Sequence, residues 1–326
     1  MTTKMDFTVV IPSRNRPILL RKAIDSVLSQ SHDSFEVLVV NDGSDGENEI
    51  AYQQLAEELH PKVRFLNLEK APNGHGQSGS INRGVGAANG EYVCFLDDDD
   101  YWTDNQHLQR AANALKVFEG DIYYSNQDAY VNDKKVEGPV WIEGLEKIAS
   151  AAGRKVIDNC YSVTISDLMQ CHGFAHLNTT IVRKSLYEDI NGMDENIRYE
   201  CDWDFFLRTI DKAKTIVFSP CVTSYHKAPD TSKTENMSTA VSMLQKLLFR
   251  TYVLDKAIML SSSKDIINKS ILHKTYTLKH MSQQLINDGK LEEAVFYASQ
   301  AKTNVWDLKW YLKLVSLRIR SILQKG

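Results

Sequence analysis

From residue 7 onward, short and mostly apolar runs recur between single stretches of helical pattern. The runs are FTVVI (7–11), FEVLVV (35–40), VRFLNL (63–68) and YVCFL (92–96); helices are predicted between them over about Pro17–Ser29, 47–59 and Ser78–Ala88. A strand that is apolar on both faces has to be covered on both faces, and a single-helix crossover joins parallel neighbours. The pattern therefore predicts an α/β fold with a mainly parallel sheet flanked by helices. Three of the strands run straight into polar residues: Pro12-Ser13-Arg14-Asn15, Asn41-Asp42-Gly43-Ser44 and the four carboxylates Asp97 to Asp100. Ligands of open α/β sheets bind beyond the carboxyl ends of the strands, so these tails are expected to converge on one crevice.

The 326 residues, 43% of them hydrophobic, leave room for one large domain and a smaller one with a proper core. Basic and acidic residues are close to balance, 38 against 42, which argues against nucleic acid as a partner. Five cysteines without a CxxC pair suit free thiols in a reducing cytosol. The N-terminal apolar run is too short for a signal peptide, and no stretch reaches the ~18 apolar residues of a spanning helix. The expected location is cytoplasmic.

Residues 121 to 225 read as mixed strands and loops, 227 to 238 (KAPDTSKTENMS) as a polar, mobile loop, and everything beyond 239 as helical. Within the last part, HMSQQLINDGKLEEAVFYASQAK has the look of one tetratricopeptide-like helix pair turning at Asp288-Gly289; a single copy does not make an array. The expected division is 1–238 and 239–326, the first with halves of about 1–110 and 111–238. Residues 303–326 carry five cations, Lys309, Lys313, Arg318, Arg320 and Lys325, against Asp307. Trp306, Trp310, Leu314 and Leu317 form an apolar stripe among them, which suits either an anionic bilayer or packing on protein. A homo-oligomer is also allowed for.

Four adjacent carboxylates after a buried strand repel one another. A divalent cation removes the conflict, hard oxygen ligands suiting Mg²⁺ or Mn²⁺; the plainer alternative is an acidic loop capping a helix that starts near Thr103-Asp104. If the segment is extended, Asp97 and Asp99 point to one side and Asp98 to the other. Haloacid dehalogenase-type phosphatases also end a strand in Asp-x-Asp, but near the first strand. Nucleotidylyltransferases open with a Gly-rich, Arg-containing loop, which Pro12-Ser13-Arg14-Asn15 is not. Cys171, His172 and His176 lack a fourth metal ligand and read as structural or acceptor-site residues.

TVVIPSRNRP, VLVVNDGSDG, INRGVGAANGEYVCFLDDDDYW and ECDWDFFLR, in this order, resemble family 2 glycosyltransferases of the GT-A fold over roughly residues 6 to 226. The resemblance implies metal-dependent, inverting transfer from a nucleotide diphosphate sugar, with a UDP-sugar favoured, to a glycan or lipid-linked acceptor in surface polysaccharide synthesis. It implies a nucleotide-binding first half, an acceptor-binding second half and a cytoplasmic enzyme, peripheral on the membrane if the tail binds lipid. Carried over by position, Pro12 and Arg14 line the base and ribose, and Asp42 accepts from the base. Asn82 belongs to the nucleotide site, Asp98 faces ribose or sugar, and Asp97, Asp99 and His226 hold Mn²⁺ or Mg²⁺. Asp202 is the implied catalytic base; on a helix it shares a face with Phe205 and Phe206, near the end where the dipole keeps a carboxylate ionised. The chain departs from the family pattern in reading Ser80-Ile81-Asn82 for Ala-Arg-Asn and in carrying Cys201 where many members have Glu. The rivals are a non-catalytic sugar-nucleotide-binding scaffold of the same fold and a nucleotidylyltransferase.

Overall fold

The computed structural model describes residues 5–138, 140–229, 241–305 and 307–323. The chain forms two compact units, Met1–Asp230 and Thr231–Gly326.

In the first unit, β1 (Phe7–Ser13), β2 (Phe35–Asn41), β3 (Val63–Asn67) and β4 (Tyr92–Phe95) lie parallel in the order β3-β2-β1-β4. They are connected through α1 (Pro17–Leu28), α2 (Gly46–Glu58) and α3 (Gly76–Gly86), as the alternating pattern predicts. Pro17 opens α1, where its missing N–H has no intrahelical partner to lose. Leu20, Ala23, Ile24 and Val27 then recur on one face and bury it against the sheet, in one core with Val9, Ile11, Val37 and Val39. On α3, Gly84 allows close approach to the strands: a Cβ there would meet Val10 Cγ1 at 2.5 Å and Val40 Cγ2 at 2.9 Å.

Beyond β4 the sheet continues through β5 (Tyr101–Trp102), β6 (Ile122–Val131), β7 (Lys134–Lys135), β8 (Val156–Ile157), β9 (Cys160–Val163), β10 (Thr180–Arg183) and β11 (Ile216–Lys227). β10 inserts antiparallel between β4 and β6, and β11 runs parallel to β6. The helices here are α4 (His107–Phe118), α5 (Leu145–Ala151), α6 (Ile165–Gln170), α7 (Lys184–Asp189) and α8 (Cys201–Lys212). The sheet is thus mixed and mainly parallel, the four parallel strands of its first half being followed by antiparallel neighbours and the parallel β6–β11 pair.

The second unit contains α9 (Met243–Leu260), α10 (Lys264–Asn287), α11 (Leu291–Asn304) and α12 (Leu308–Leu323). The predicted helix pair is α10 and α11. The stripe that suited a bilayer is instead the inner face of α12: Trp310, Leu314 and Leu317 are buried with Leu278, Met281, Ala294 and Ala298, and the Trp310 indole N–H donates to the Ala298 carbonyl (3.0 Å). Trp306 lies outside the described residues, as does most of the predicted loop 227–238. Among the described residues no helix is long and apolar enough to cross a membrane.

Candidate functional site

The carboxylates at the end of β4 are not extended. Asp100 N–H donates to the Asp97 carbonyl (3.2 Å), closing a turn, and the next residues enter β5, paired antiparallel with β11 through Ser224↔Trp102 and Tyr225↔Tyr101. The expected alternation gives way to a fan of four carboxylates with separate partners. Asp97 accepts from Gln77 Nε2 (2.8 Å), and its own N–H donates to Asn178 Oδ1 (3.0 Å). Asp98 accepts from Ser13 Oγ (2.6 Å) and Arg16 Nη1 (3.2 Å), and the same Arg16 nitrogen reaches Asp99 (3.3 Å). Asp100 accepts from His226 Nδ1 (2.7 Å), the Lys227 N–H (2.7 Å) and the Asn178 amide. Nor does the run cap a helix at Thr103-Asp104; α4 starts at His107, and Asp104 accepts from the Gln106 N–H (2.9 Å) ahead of it.

Burial is the largest influence on the protonation of all four. It raises Asp97 well above the ordinary carboxylate range, with repulsion from Asp100 and Asp99 adding to it, and lifts Asp98 to about 6 against the hydrogen bond from Ser13 and the charge of Arg16. Asp99 is raised by burial and by Asp100. Asp100 goes the other way: its hydrogen bond and ion pair with His226 outweigh burial and hold it low, while raising His226.

The expected cation ligands Asp97, Asp99 and His226 do not form one cage. His226 is committed to Asp100, and among the described residues no three His, Cys, Asp or Glu groups stand where they could hold one ion. What remains is a pair of desolvated, mutually repelling hard-oxygen donors. Mg²⁺ and Mn²⁺ fit such a pair, because they bind through one or two carboxylates and complete their shell with phosphate oxygens and water.

On the β1–β2 side, Asp42 accepts from the N–H groups of His75 (2.8 Å) and Gly76 (3.1 Å) and from His75 Nδ1 (2.7 Å), so its carboxylate braces the loop entering α3. Arg14 reaches the Ala71 carbonyl (3.3 Å) in the same loop and stands close enough to Asp42 that a Cβ on Gly74 would collide with both. Pro12 is partly buried in β1, one residue before Ser13, whose hydroxyl joins Tyr52 and Asp98. Asn82 departs from its expected role. Its Nδ2 donates to the Met193 carbonyl (2.9 Å) and Glu195 (3.0 Å), and its Oδ1 accepts from Tyr187 and the Met193 N–H (2.9 Å), so the amide clamps α3 to α7 and the segment after it. Arg83 bonds the Gly79 carbonyl (2.7 Å) and Glu195.

Asp202 stands in the first turn of α8, where its carboxylate accepts from the Trp203 N–H (2.9 Å). The residue before the helix, Glu200, takes a left-handed φ of 66°. Burial, then repulsion from Glu200, brings Asp202 to about 6. Cys201 lies against Gln77 Oε1 (3.8 Å), and Gln77 bonds Asp97, so one side chain joins the start of α8 to the carboxylate fan. Phe174 stacks on Trp203, and Trp141 meets the His176 and His226 rings edge-on. His176 is partly buried, desolvation and the neighbouring His226 press its pKa down to about 3, and it caps a short turn through the Asn178 N–H (3.3 Å).

Sequence reasoning missed Ser13, Arg16, Gln77, Asp100 and Asn178. Ser13 belongs to the polar tail of β1 and Asp100 to the acidic run, so position singled out those two with their neighbours; Arg16 lies just past that tail, and nothing local marks Gln77 or Asn178.

A model of glycosyl transferase family 2 matches residues 8–175. The amylovoran biosynthesis glycosyltransferase AmsB of Erwinia amylovora is 27% identical over 68% of this chain and 70% of its own. Two other curated relatives are matched over 47% and 20% of their own lengths. Among solved structures, S. aureus TarS 1-349 in complex with UDP-GlcNAc superimposes with a TM-score of 0.62 at 19% identity, covering 96% of this chain and 79% of that one. The mannosyltransferase PcManGT of Pyrobaculum calidifontis, in complex with GDP-Man and Mn²⁺, gives 0.60 at 15%, covering 100% and 89%. At these identities the structural likeness speaks to the fold alone.

Proposed function

The chain belongs to glycosyl transferase family 2, and from that premise we propose that it transfers a sugar, with inversion, from a UDP-sugar to a hydroxyl of a glycan or lipid-linked saccharide in surface polysaccharide synthesis. The observation that carries the reading is the start of α8: a carboxylate with a pKa of about 6 at Asp202, joined through Cys201 and Gln77 to Asp97. A base poised just below neutrality is ionised at working pH and still able to take a proton. The acceptor hydroxyl gives its proton to Asp202 as its oxygen bonds to the anomeric carbon. On the opposite face the bond to the diphosphate breaks, and its electron pair leaves with the nucleoside diphosphate.

In this reading Pro12, Arg14 and Asp42 line the base and ribose, and Asp98, held by Ser13, faces the ribose or donor sugar. Asp97 and Asp99 hold Mn²⁺ or Mg²⁺, which when bound neutralises charge on the leaving diphosphate. The GT-A domain ends near 238, with halves dividing near 110, and the helical unit follows. Contact with an anionic bilayer falls to the outer face of α12, where Leu308, Leu312, Val315, Ile319 and Ile322 are all exposed at alternating spacings of four and three among the cations.

Calorimetry with UDP and GDP, with Mn²⁺ and with chelator, tests the donor site. UDP binding that requires the cation is expected, followed by release of UDP from at least one UDP-sugar once acceptor is supplied. Equal binding in chelator removes the metal role. Pyrophosphate release from a nucleoside triphosphate and a sugar phosphate favours the nucleotidylyltransferase, and binding without turnover the scaffold.

A further inference from the structure

Gln127 on β6 is 2% exposed, and neither its Oε1 nor its Nε2 has a hydrogen-bond partner among the described residues. A buried amide left unpaired is costly to keep, which makes the position a candidate for a ligand's hydrogen bonds. Gln127 lines a cleft of about 640 Å³ whose rim includes Asp128, Lys135, Glu137 and Glu143. That volume lies inside the range of roughly 300–1,000 Å³ typical of small-molecule sites.

The cleft adjoins the candidate active site by two routes. In the β6–β11 register Gln127 stands opposite Ser224 and Ala129 opposite His226, so on the pleated sheet Gln127, Ala129 and His226 share a face. Glu143 accepts from the N–H groups of Val140 (3.1 Å) and Trp141 (2.9 Å), fixing the wall of the cleft so that the Trp141 ring lies edge-on to His226, 5.4 Å between centroids.

We infer that this cleft is a subsite for a neutral sugar of the acceptor, one residue removed from the sugar that reacts, with Gln127 reading one of its hydroxyls. The inference rests on the glycosyl transfer proposed above. An amide offering both a donor and an acceptor is matched by a group that is itself both, as a hydroxyl is. The rim carries three carboxylates and one ammonium, and that ammonium is paired with Asp128 at 2.7 Å, which disfavours phosphate and other anions. The Trp141 indole, partly exposed and next in the chain to the lining residue Val140, suits the alternating C–H and O–H faces of a pyranose at the edge of the cleft. The acceptor is therefore at least a disaccharide.

The test uses the full chain with UDP and Mn²⁺, and a panel of β-linked glucose, galactose and N-acetylglucosamine disaccharides with the corresponding monosaccharides, titrated by saturation-transfer NMR. At least one disaccharide is expected to bind about tenfold more tightly than its monosaccharide, since a site built to bond a hydroxyl penalises its absence. Gln127→Leu should erase that preference, and so should Val140→Trp, which fills the cleft from an exposed rim position. Both are checked for UDP binding and thermal midpoint. No disaccharide preference in a wild-type protein that binds UDP overturns the subsite and leaves the transferase reading standing; a wild-type protein that binds no nucleotide overturns that reading instead. Preference retained in Gln127→Leu, especially with a lowered midpoint, means that the amide holds a structural water and reads no sugar.

Discussion

On the proposed function Asp202 and Asp204, two residues apart, do different work. Asp202→Asn keeps the shape of the side chain and removes its basicity. Turnover should fall by roughly 10²–10⁴ with UDP affinity nearly unchanged, since general-base catalysis contributes about that factor and donor binding does not use the carboxylate. Because the base acts when ionised and burial raises its pKa to about 6, activity should rise with pH on an acid limb near 6, and the limb should vanish in the variant. Wild-type turnover in a folded Asp202→Asn protein would move the role to Glu200. Asp204 is 2% exposed and bonds Arg208 (2.8 Å), which in turn bonds the carbonyls of Ile190 and Gly192 (2.8 Å each). Its helical position alone would let it tolerate amidation. Breaking this buried pair should instead cost about 3 kcal/mol of stability, read as a lower urea midpoint with little change in the pH profile.

At the scale of elements, β1, β2 and β4 were legible because strands covered on both faces have to be apolar at nearly every position, and α1 because one face repeats every three or four residues. The acidic run was misread as extended because its conformation is set at a distance. Pairing of β5 with β11, more than 120 residues on, pulls the chain round at Asp97–Asp100. The hydrogen bonds of Asn82 were illegible for a related reason, all four going to residues 187–195, over 100 positions away. The stripe on α12 shows the limit of periodicity. It identifies an apolar face but not what covers it, and α12 has two, one against α10 and α11 and one outward. Of the candidate site, the strand tails announced the carboxylates and the family resemblance pointed to Asp202, while Gln77 and Asn178 join them only through tertiary convergence.

For the molecule as a whole, the outer face of α12 should govern attachment to lipid. Leu312→Glu with Ile319→Glu should abolish co-flotation with phosphatidylglycerol vesicles and leave the melting of the helical unit unchanged, because both side chains already face outward (60% and 54% exposed). Added salt should release the unmodified protein, since counterions screen Lys309 and Arg320 from the headgroups. Absence of flotation by the full chain would remove the membrane contact. The first unit carries a mechanical consequence of its own. β4 is bonded to β1 on one side and to β10 on the other, so the strands that present the donor carboxylates and those that carry His226 and Gln127 belong to one continuous sheet. Among the described residues the ladder runs unbroken from β4 through β10 to β6 and β11, and neighbouring strands are held about 4.8 Å apart. The sheet works as a jig. On the proposed function, the offset between leaving group and attacking hydroxyl would be machined into strand spacing, and choosing which acceptor hydroxyl reacts would become a matter of how far along the jig the glycan is laid.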